Sequence, residues 1–243
     1  MIKAVFLDID DTLLDFEAFA RATMEEGFRR FNLPTYQPYM YDVFDRVSDV
    51  LWKKIERGEM QRSDLIDVRW QTIFAELGIS CDARAFEEFF LSQLPLSAIP
   101  VEGAGEIVNW LAPRCLLCAA SNGIYEEQKG RLQRAGWLDR FHMLFISEDI
   151  GVQKPSPDFF TRSVARLNAQ PVPGYRFPVL PHEILMVGDS LTSDMRGGIG
   201  SGLRTCLFDR RGSGIPADMP IDYRISSLAE LKPIVISLMQ EEA

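Results

Sequence analysis

Two kinds of hydrophobic pattern alternate along the chain. Short, mainly apolar runs occur at Ile2–Leu7, Leu116–Ala120, Met143–Ile146, Ile184–Val187 and Thr205–Phe208. Runs of that length are expected of strands buried on both faces. Between them lie segments with helical spacing, about Gly103–Leu111, Glu126–Ala135, Pro157–Leu167 and Leu191–Gly200. Strand and helix in alternation predict right-handed crossovers and an α/β fold: a three-layer, Rossmann-like parallel sheet covered by helices. Ligands of such sheets bind at the carboxyl ends of the strands.

Residues 15–97 break the alternation and predict four helices, roughly 16–31, 38–57, 63–77 and 83–93. In the second, Met40, Val43, Val47, Val50 and Leu51 form one apolar stripe. In the third, Trp70 shares a stripe with Ile66, Ile73, Phe74 and Leu77 and is expected to pack. The expected organisation is therefore a core of residues 1–14 and 98–243 interrupted by an α-helical insert, 15–97. Asn168–His182, with prolines at 171, 173, 178 and 181, and Asp209–Pro220, with Gly212, Gly214, Pro216 and Pro220, are expected to be irregular loops.

Composition narrows the partners. The chain has 26 Lys+Arg against 35 Asp+Glu, a net charge of -9. The insert holds 10 basic and 15 acidic residues, so neither part is basic. That argues against a nucleic-acid polymer or an anionic membrane as partner. No apolar run approaches the ~18 residues of a membrane span. The N-terminal MIKAVFLDIDDTLLDFE is interrupted by carboxylates from Asp8 onward, unlike a signal peptide, so a cytoplasmic location is expected. Cys115 and Cys118 sit three apart on a predicted strand, hence on opposite faces, and are expected to pack rather than to share a metal. His142 and His182 are too isolated to suggest a zinc site.

Four short polar segments fall where predicted strands end. Asp8-Ile9-Asp10-Asp11-Thr12 places two carboxylates with one residue between them at the sheet mouth. Their repulsion calls for a counter-charge, and a divalent cation supplies one. Ser121-Asn122-Gly123 offers hydroxyl, amide and backbone N–H groups suited to phosphate oxygens. Lys154-Pro155-Ser156-Pro157 carries a lone lysine ahead of a proline-initiated helix. Gly188-Asp189-Ser190-Leu191-Thr192-Ser193-Asp194 puts one carboxylate at a strand end and a second on the next helical turn.

In this order and spacing, the segments resemble the DxDx[TV], Ser/Thr, Lys and GDSxxxD motifs of the haloacid dehalogenase (HAD) superfamily of phosphotransferases. The helical insert resembles the cap of its first cap class, and the resemblance covers essentially the whole chain. LDIDDTLLDFEA, LWKKIERGEMQRSDL, SEDIGVQKP and GDSLTSDMRGG are most similar to its pyrimidine 5′-nucleotidase branch. The resemblance implies that Asp8 attacks phosphorus to form an aspartyl-phosphate. Asp10 would protonate the leaving oxygen and then activate water. Mg²⁺ would be held by Asp8, the Asp10 carbonyl oxygen and Asp189, with Asp194 acting from behind. Ser121, Asn122 and Lys154 would hold the phosphate. Asp11 and Thr12 are expected to brace the loop. Trp52 and Phe16 are candidate substrate contacts from the cap, although each could instead pack within it.

Charge supports a metal. Asp8, Asp10, Asp189 and Asp194 give -4 if all ionise, Lys154 gives +1, and Mg²⁺ brings the total to -1 before a phosphate monoester enters. The expected activity is Mg²⁺-dependent hydrolysis of a small phosphorylated metabolite, with pyrimidine nucleoside 5′-monophosphates favoured, by a monomer or homodimer. A phosphoglycolate or sugar-phosphate phosphatase, a β-phosphoglucomutase-like enzyme and a catalytically silent interaction protein are the rivals. A dehalogenase is disfavoured because its chemistry has no use for Asp10.

Overall fold

The apolar runs assemble into one six-stranded sheet, all parallel, in the order β3-β2-β1-β4-β5-β6. The computed structural model describes residues 1–210, 212, 214 and 216–240. In chain order the elements are β1 (Ala4–Leu7), α1 (Phe16–Arg30), α2 (Tyr39–Glu56), α3 (Leu65–Leu77), α4 (Ala83–Gln93), α5 (Ala104–Leu111), β2 (Leu116–Ser121), α6 (Tyr125–Arg134), β3 (Met143–Ile146), α7 (Ser147–Ile150), α8 (Pro157–Ala169), β4 (Ile184–Gly188), a wide π-type turn (Leu191–Met195), α9 (Arg196–Gly200), β5 (Arg204–Phe208), β6 (Tyr223–Ile225) and α10 (Leu231–Gln240). The contacts separate two units: Met1–Asp15 with Ala98–Ala243, and Phe16–Ser97.

In the sheet unit, the two-residue period of the strands sorts side chains into two cores. Val5 and Leu7 join Leu117, Ala119, Leu185, Val187 and Cys206 beneath α5 and α10. Ala4 and Phe6 join Leu116, Cys118, Ala120, Ile184 and Met186 against Phe159, Phe160 and Leu167 of α8. The central strands are buried along their whole length, which is why their sequences run apolar without alternation. Cys115 belongs to the first core and Cys118 to the second, on opposite faces of the sheet. Burial pushes the Cys115 thiol up to about 12, in keeping with a packing residue.

Three elements escaped the sequence pattern, the first being α7, a single turn directly after β3. The strand β6 is three residues long, follows the Gly/Pro-rich stretch and lies at the sheet edge, so it has no long apolar run. The helix α10 buries Leu231, Val235 and Leu238 and closes the first core at its far end. The expected loop 168–182 is irregular from 170 to 180, as its prolines require, while Asn168 and Ala169 still belong to α8 and Pro181–Glu183 form a 3-10 turn. It is pinned by Asn168, whose Nδ2 donates to the Val179 carbonyl (3.0 Å) and whose Oδ1 accepts from the Val179 N–H (2.7 Å). Of the expected loop 209–220, positions 211, 213 and 215 lie outside the described residues.

The second unit is all helical, and aromatic rings fill it. Trp70 is fully buried among Phe44, Phe74, Phe86 and Phe90. The buried face of α2 is Met40, Tyr41, Phe44, Val47, Ser48, Leu51 and Ile55. Val50, placed on the stripe by its spacing, is instead 48% exposed. Tyr41 and Phe44 carry more apolar surface than the valines and rotate the helix toward themselves. A buried pair, Arg69–Glu87, crosses from α3 to α4 with Nε to Oε2 at 3.0 Å, and the guanidinium lies over the faces of Phe44 and Phe90. Burial pushes the Glu87 carboxyl up while Arg69 pulls it down, with burial the larger effect. Among the described residues, no helix is long and apolar enough to cross a membrane.

Candidate active site

The chain folds so that the four polar segments meet at one end of the sheet. β1 is flanked by β2 and β4, and the chain reverses its direction of travel across the sheet at that strand. Asp8 immediately follows β1, Ser121 ends β2, and Asp189 immediately follows β4. This is the position in an open parallel sheet where ligands are expected.

Lys154 organises the centre. It is 1% exposed, and its ammonium donates to Asp8 Oδ1 (2.7 Å), Asp194 Oδ1 (2.5 Å) and the Ala120 carbonyl (2.6 Å). Burial works against its charge, but Asp194 and Asp8 outweigh burial and hold its pKa above the ordinary lysine value. The backbone of Lys154 is fixed by Asn122, whose Nδ2 donates to the Lys154 carbonyl (2.8 Å) and whose Oδ1 accepts the Lys154 N–H (2.8 Å). The Asn122 side chain, expected at the phosphate, is thus engaged instead with the Lys154 backbone. Downstream, Ser156 caps α8 by accepting the Asp158 N–H, and Pro157 opens the helix.

Carboxylates crowd the same point. Oxygens of Asp8, Asp189 and Asp194 lie within 4.8 Å of one another, and among the described residues this is the group able to hold a metal ion. Asp8 is enclosed by protein, and burial, the largest influence, raises its carboxyl from 3.8 to about 8; Lys154 lowers it, while Asp194 and Asp10 raise it again. Asp189 is raised well above the ordinary range by the protein around it and then by Asp8, Asp11 and Asp194, although its side chain still reaches solvent. One ammonium therefore does not balance the centre. A hard divalent cation with oxygen ligands matches both the donor set and the missing charge. Asp194 uses Oδ1 on Lys154 and Oδ2 on the Ser190 N–H (3.1 Å), so it positions the site rather than standing open to an ion. Gly188 makes that possible: a Cβ there would sit 2.1 Å from Asp194 Oδ2.

The remaining expected residues divide. Thr12 Oγ1 donates to Asp189 Oδ1 at 3.3 Å and braces it. Asp11 takes a left-handed backbone, φ 57°, and its carboxylate accepts from Arg210 (2.9 Å), which also reaches Asp15 (3.0 Å). Trp52 and Phe16 belong to the helical unit. Phe16 stacks on Phe44 at 6.4 Å between ring centres, and Trp52 is half-buried with Arg62 over its ring.

Two residues went unnoticed in the sequence. Gln128 and Arg131, one turn apart on α6, both reach Asp10. Gln128 Nε2 donates to Asp10 Oδ2 (2.7 Å) and Ser121 Oγ (3.1 Å), and Arg131 Nη1 donates to Asp10 Oδ1 (2.6 Å) and Gln128 Oε1 (3.0 Å). Both are nearly fully buried. The available signal was their spacing, i and i+3, on a helix that directly follows the Ser-Asn-Gly loop.

A parallel sheet whose strand ends gather carboxylates, a buried lysine and a small hydroxyl has the groups that phosphoryl transfer calls for. A model of the haloacid dehalogenase-like hydrolases matches residues 2–202. The chain belongs to that family, and it is an enzyme. It is 29% identical over 238 residues to the HAD-hydrolase YfnB of Bacillus subtilis, covering 96% of this chain and 95% of that protein. A crystal structure of YfnB bound to magnesium superposes with a TM-score of 0.85 at 28% identity, over 96% of this chain and 98% of that one. The pyrimidine 5′-nucleotidase PynA of Streptococcus pneumoniae is 29% identical over 208 residues, 85% of this chain and 84% of that protein. A glyceraldehyde 3-phosphate phosphatase of Methanopyrus kandleri is 34% identical over 251 residues, 99% of this chain and the whole of that protein.

Proposed function

We propose that this HAD phosphatase hydrolyses small phosphate monoesters with Mg²⁺, through an aspartyl-phosphate on Asp8, and that pyrimidine nucleoside 5′-monophosphates are its substrate class. The observation that carries the chemistry is the Lys154 ammonium shared between Asp8 and Asp194, with Asp189 beside them and the charge still unbalanced. The nucleotide class rests on PynA and on the motif segments that resemble its branch.

Asp8, Asp189 and the Asp10 carbonyl oxygen are the groups that would hold Mg²⁺. When bound, the ion supplies positive charge to the non-bridging phosphate oxygens. Lys154 keeps one Asp8 oxygen fixed, so that the other is aimed at phosphorus. Asp8 bonds to phosphorus as the ester oxygen departs, and Asp10 gives that oxygen a proton. Asp10 then accepts a proton from water, water oxygen bonds to phosphorus, and Asp8 leaves as the carboxylate. Ser121 donates to a phosphate oxygen throughout.

Exhaustive chelation is expected to lower hydrolysis of p-nitrophenyl phosphate by roughly 10²-fold or more, with recovery on addition of Mg²⁺. Phosphate release that persists undiminished in a chelator would remove the metal from the reading. A panel of dUMP, dTMP, phosphoglycolate, glyceraldehyde 3-phosphate and sugar phosphates decides the substrate. The expected result is the highest kcat/KM on a pyrimidine nucleotide, by at least about tenfold. The Methanopyrus kandleri relative supports the alternative of a three-carbon phosphate, which the same panel would reveal.

A further inference from the structure

We propose that Gln128 and Arg131 are positioning residues that aim Asp10 at the water of the dephosphorylation step and turn the Ser121 hydroxyl proton toward the phosphate. The inference rests on the aspartyl-phosphate reading given above.

Arg131 settles the orientation of Gln128. Its Nη1–H can only donate, so the Gln128 atom facing it at 3.0 Å is the amide oxygen. That leaves the NH₂ end facing Asp10 Oδ2 and Ser121 Oγ, at 2.7 Å and 3.1 Å. Asp10 therefore accepts at both oxygens, one from Gln128 and one from Arg131, and its carboxylate plane is set from two sides. Gln128 also fills an acceptor position on Ser121 Oγ. The hydroxyl keeps its own hydrogen, which is directed away from the Gln128 donor. One amide thus sets the direction of the acid–base group and of a phosphate donor together.

Burial makes the arrangement rigid. Gln128 is 3% exposed and Arg131 1%, while the Asp10 side chain is 35% exposed and open to a reacting molecule. A buried guanidinium without such partners is costly, so the pair with Asp10 is maintained. The neighbouring sequence accommodates it. A Cβ at Gly123 would come within 2.7 Å of Gln128 Cγ and Nε2, so any larger residue at position 123 displaces the amide.

The two steps of the reaction place different demands on Asp10. p-Nitrophenolate leaves with little help from an acid, so phosphorylation of Asp8 by p-nitrophenyl phosphate tolerates a misdirected Asp10. Dephosphorylation does not, because Asp10 must take a proton from water as the water oxygen bonds to phosphorus and the bond from phosphorus to Asp8 breaks. Loss of the aim is expected to trap the phosphoenzyme.

The experiment uses the full chain with Mg²⁺ and p-nitrophenyl phosphate radiolabelled at phosphorus. Rapid acid quench measures protein-bound label, and absorbance measures first-turnover p-nitrophenolate. Arg131→Met is expected to raise steady-state phosphoenzyme at least about tenfold over wild type, with the first-turnover rate near normal and kcat falling in proportion to the enzyme left unphosphorylated. Gln128→Leu, close to glutamine in volume, is expected to accumulate phosphoenzyme as well and to raise KM through Ser121. It carries the test if Arg131→Met fails to fold. Asp10→Asn is the reference. If Asp10→Asn traps label and neither positioning variant does, the inference is overturned and the aspartyl-phosphate reading stands. If none of the three variants traps label, hydroxylamine-sensitive or otherwise, the aspartyl-phosphate reading fails and the inference falls with it.

Discussion

Replacing Asp8 by Asn is expected to lower phosphate-ester turnover by about 10⁴-fold or more and to leave the protein folded. The amide keeps an oxygen for the Lys154 ammonium, which lies 2.7 Å from Asp8 Oδ1, but it cannot form a phosphorus bond that water later reverses. Stability is expected to move the other way. Folding raises the Asp8 carboxyl from 3.8 to about 8, so the folded protein holds that proton more tightly than the unfolded chain. The resulting stabilisation is fully present below about pH 4 and is lost as pH rises toward about 8. Asparagine stays neutral over that window. Without metal at neutral pH, the variant should therefore unfold at the same temperature as wild type or higher, a trade of stability against activity. Thermal unfolding with and without Mg²⁺, beside a phosphate-release assay, tests both halves. Turnover within tenfold of wild type would exclude Asp8 as nucleophile.

Lys154→Met carries the second large effect, and here activity and stability fall together. The change removes the ammonium from between Asp8 and Asp194 at a site that is 1% exposed. Breaking a buried pair while leaving its partners costs about 3–5 kcal/mol. Turnover is expected to fall by about 10²–10³-fold, because a fixed positive charge on the phosphoryl group is gone. Added Mg²⁺ should recover part of the stability by supplying charge to Asp8, and none of the lost backbone–ammonium contact with Ala120. Urea unfolding at two Mg²⁺ concentrations measures this. A variant as stable as wild type in the absence of metal would show that the lysine does not hold the site together.

The limits of the sequence pattern follow from local physics. A strand buried on both faces must be apolar throughout, so β1, β2 and β4 could be found from composition alone. An edge strand of three residues faces no such demand, and β6 left no mark. On α2, periodicity found the helix but misplaced its buried face, because it weighted Val50 like Phe44 and could not see the aromatic cluster that α2 had to meet. At the candidate site, Asp8, Ser121 and Asp189 were recognisable because each follows or ends a strand run, whereas Lys154 stands eight residues beyond β3, after α7, and was recognisable only as part of the motif set. Gln128 and Arg131 lie inside a helix of otherwise ordinary polarity, where the i, i+3 spacing puts them on one face without showing that this face is buried.

Local pattern was enough to reveal the parallel sheet, the helical insert, a set of carboxylates and a hydroxyl at strand ends, and a lysine ahead of a helix. Hydrophobic period and strand-end position are short-range properties, and a net charge of -9 did not obscure them. The direction in which each polar side chain points was set by folding alone. Tertiary packing spent the Asn122 amide on Lys154, set both Asp194 oxygens on partners, and brought Arg131 to Asp10 from 121 residues away. Buried polar groups must find partners, and those partners are chosen by proximity in space, which the order of residues along the chain does not record.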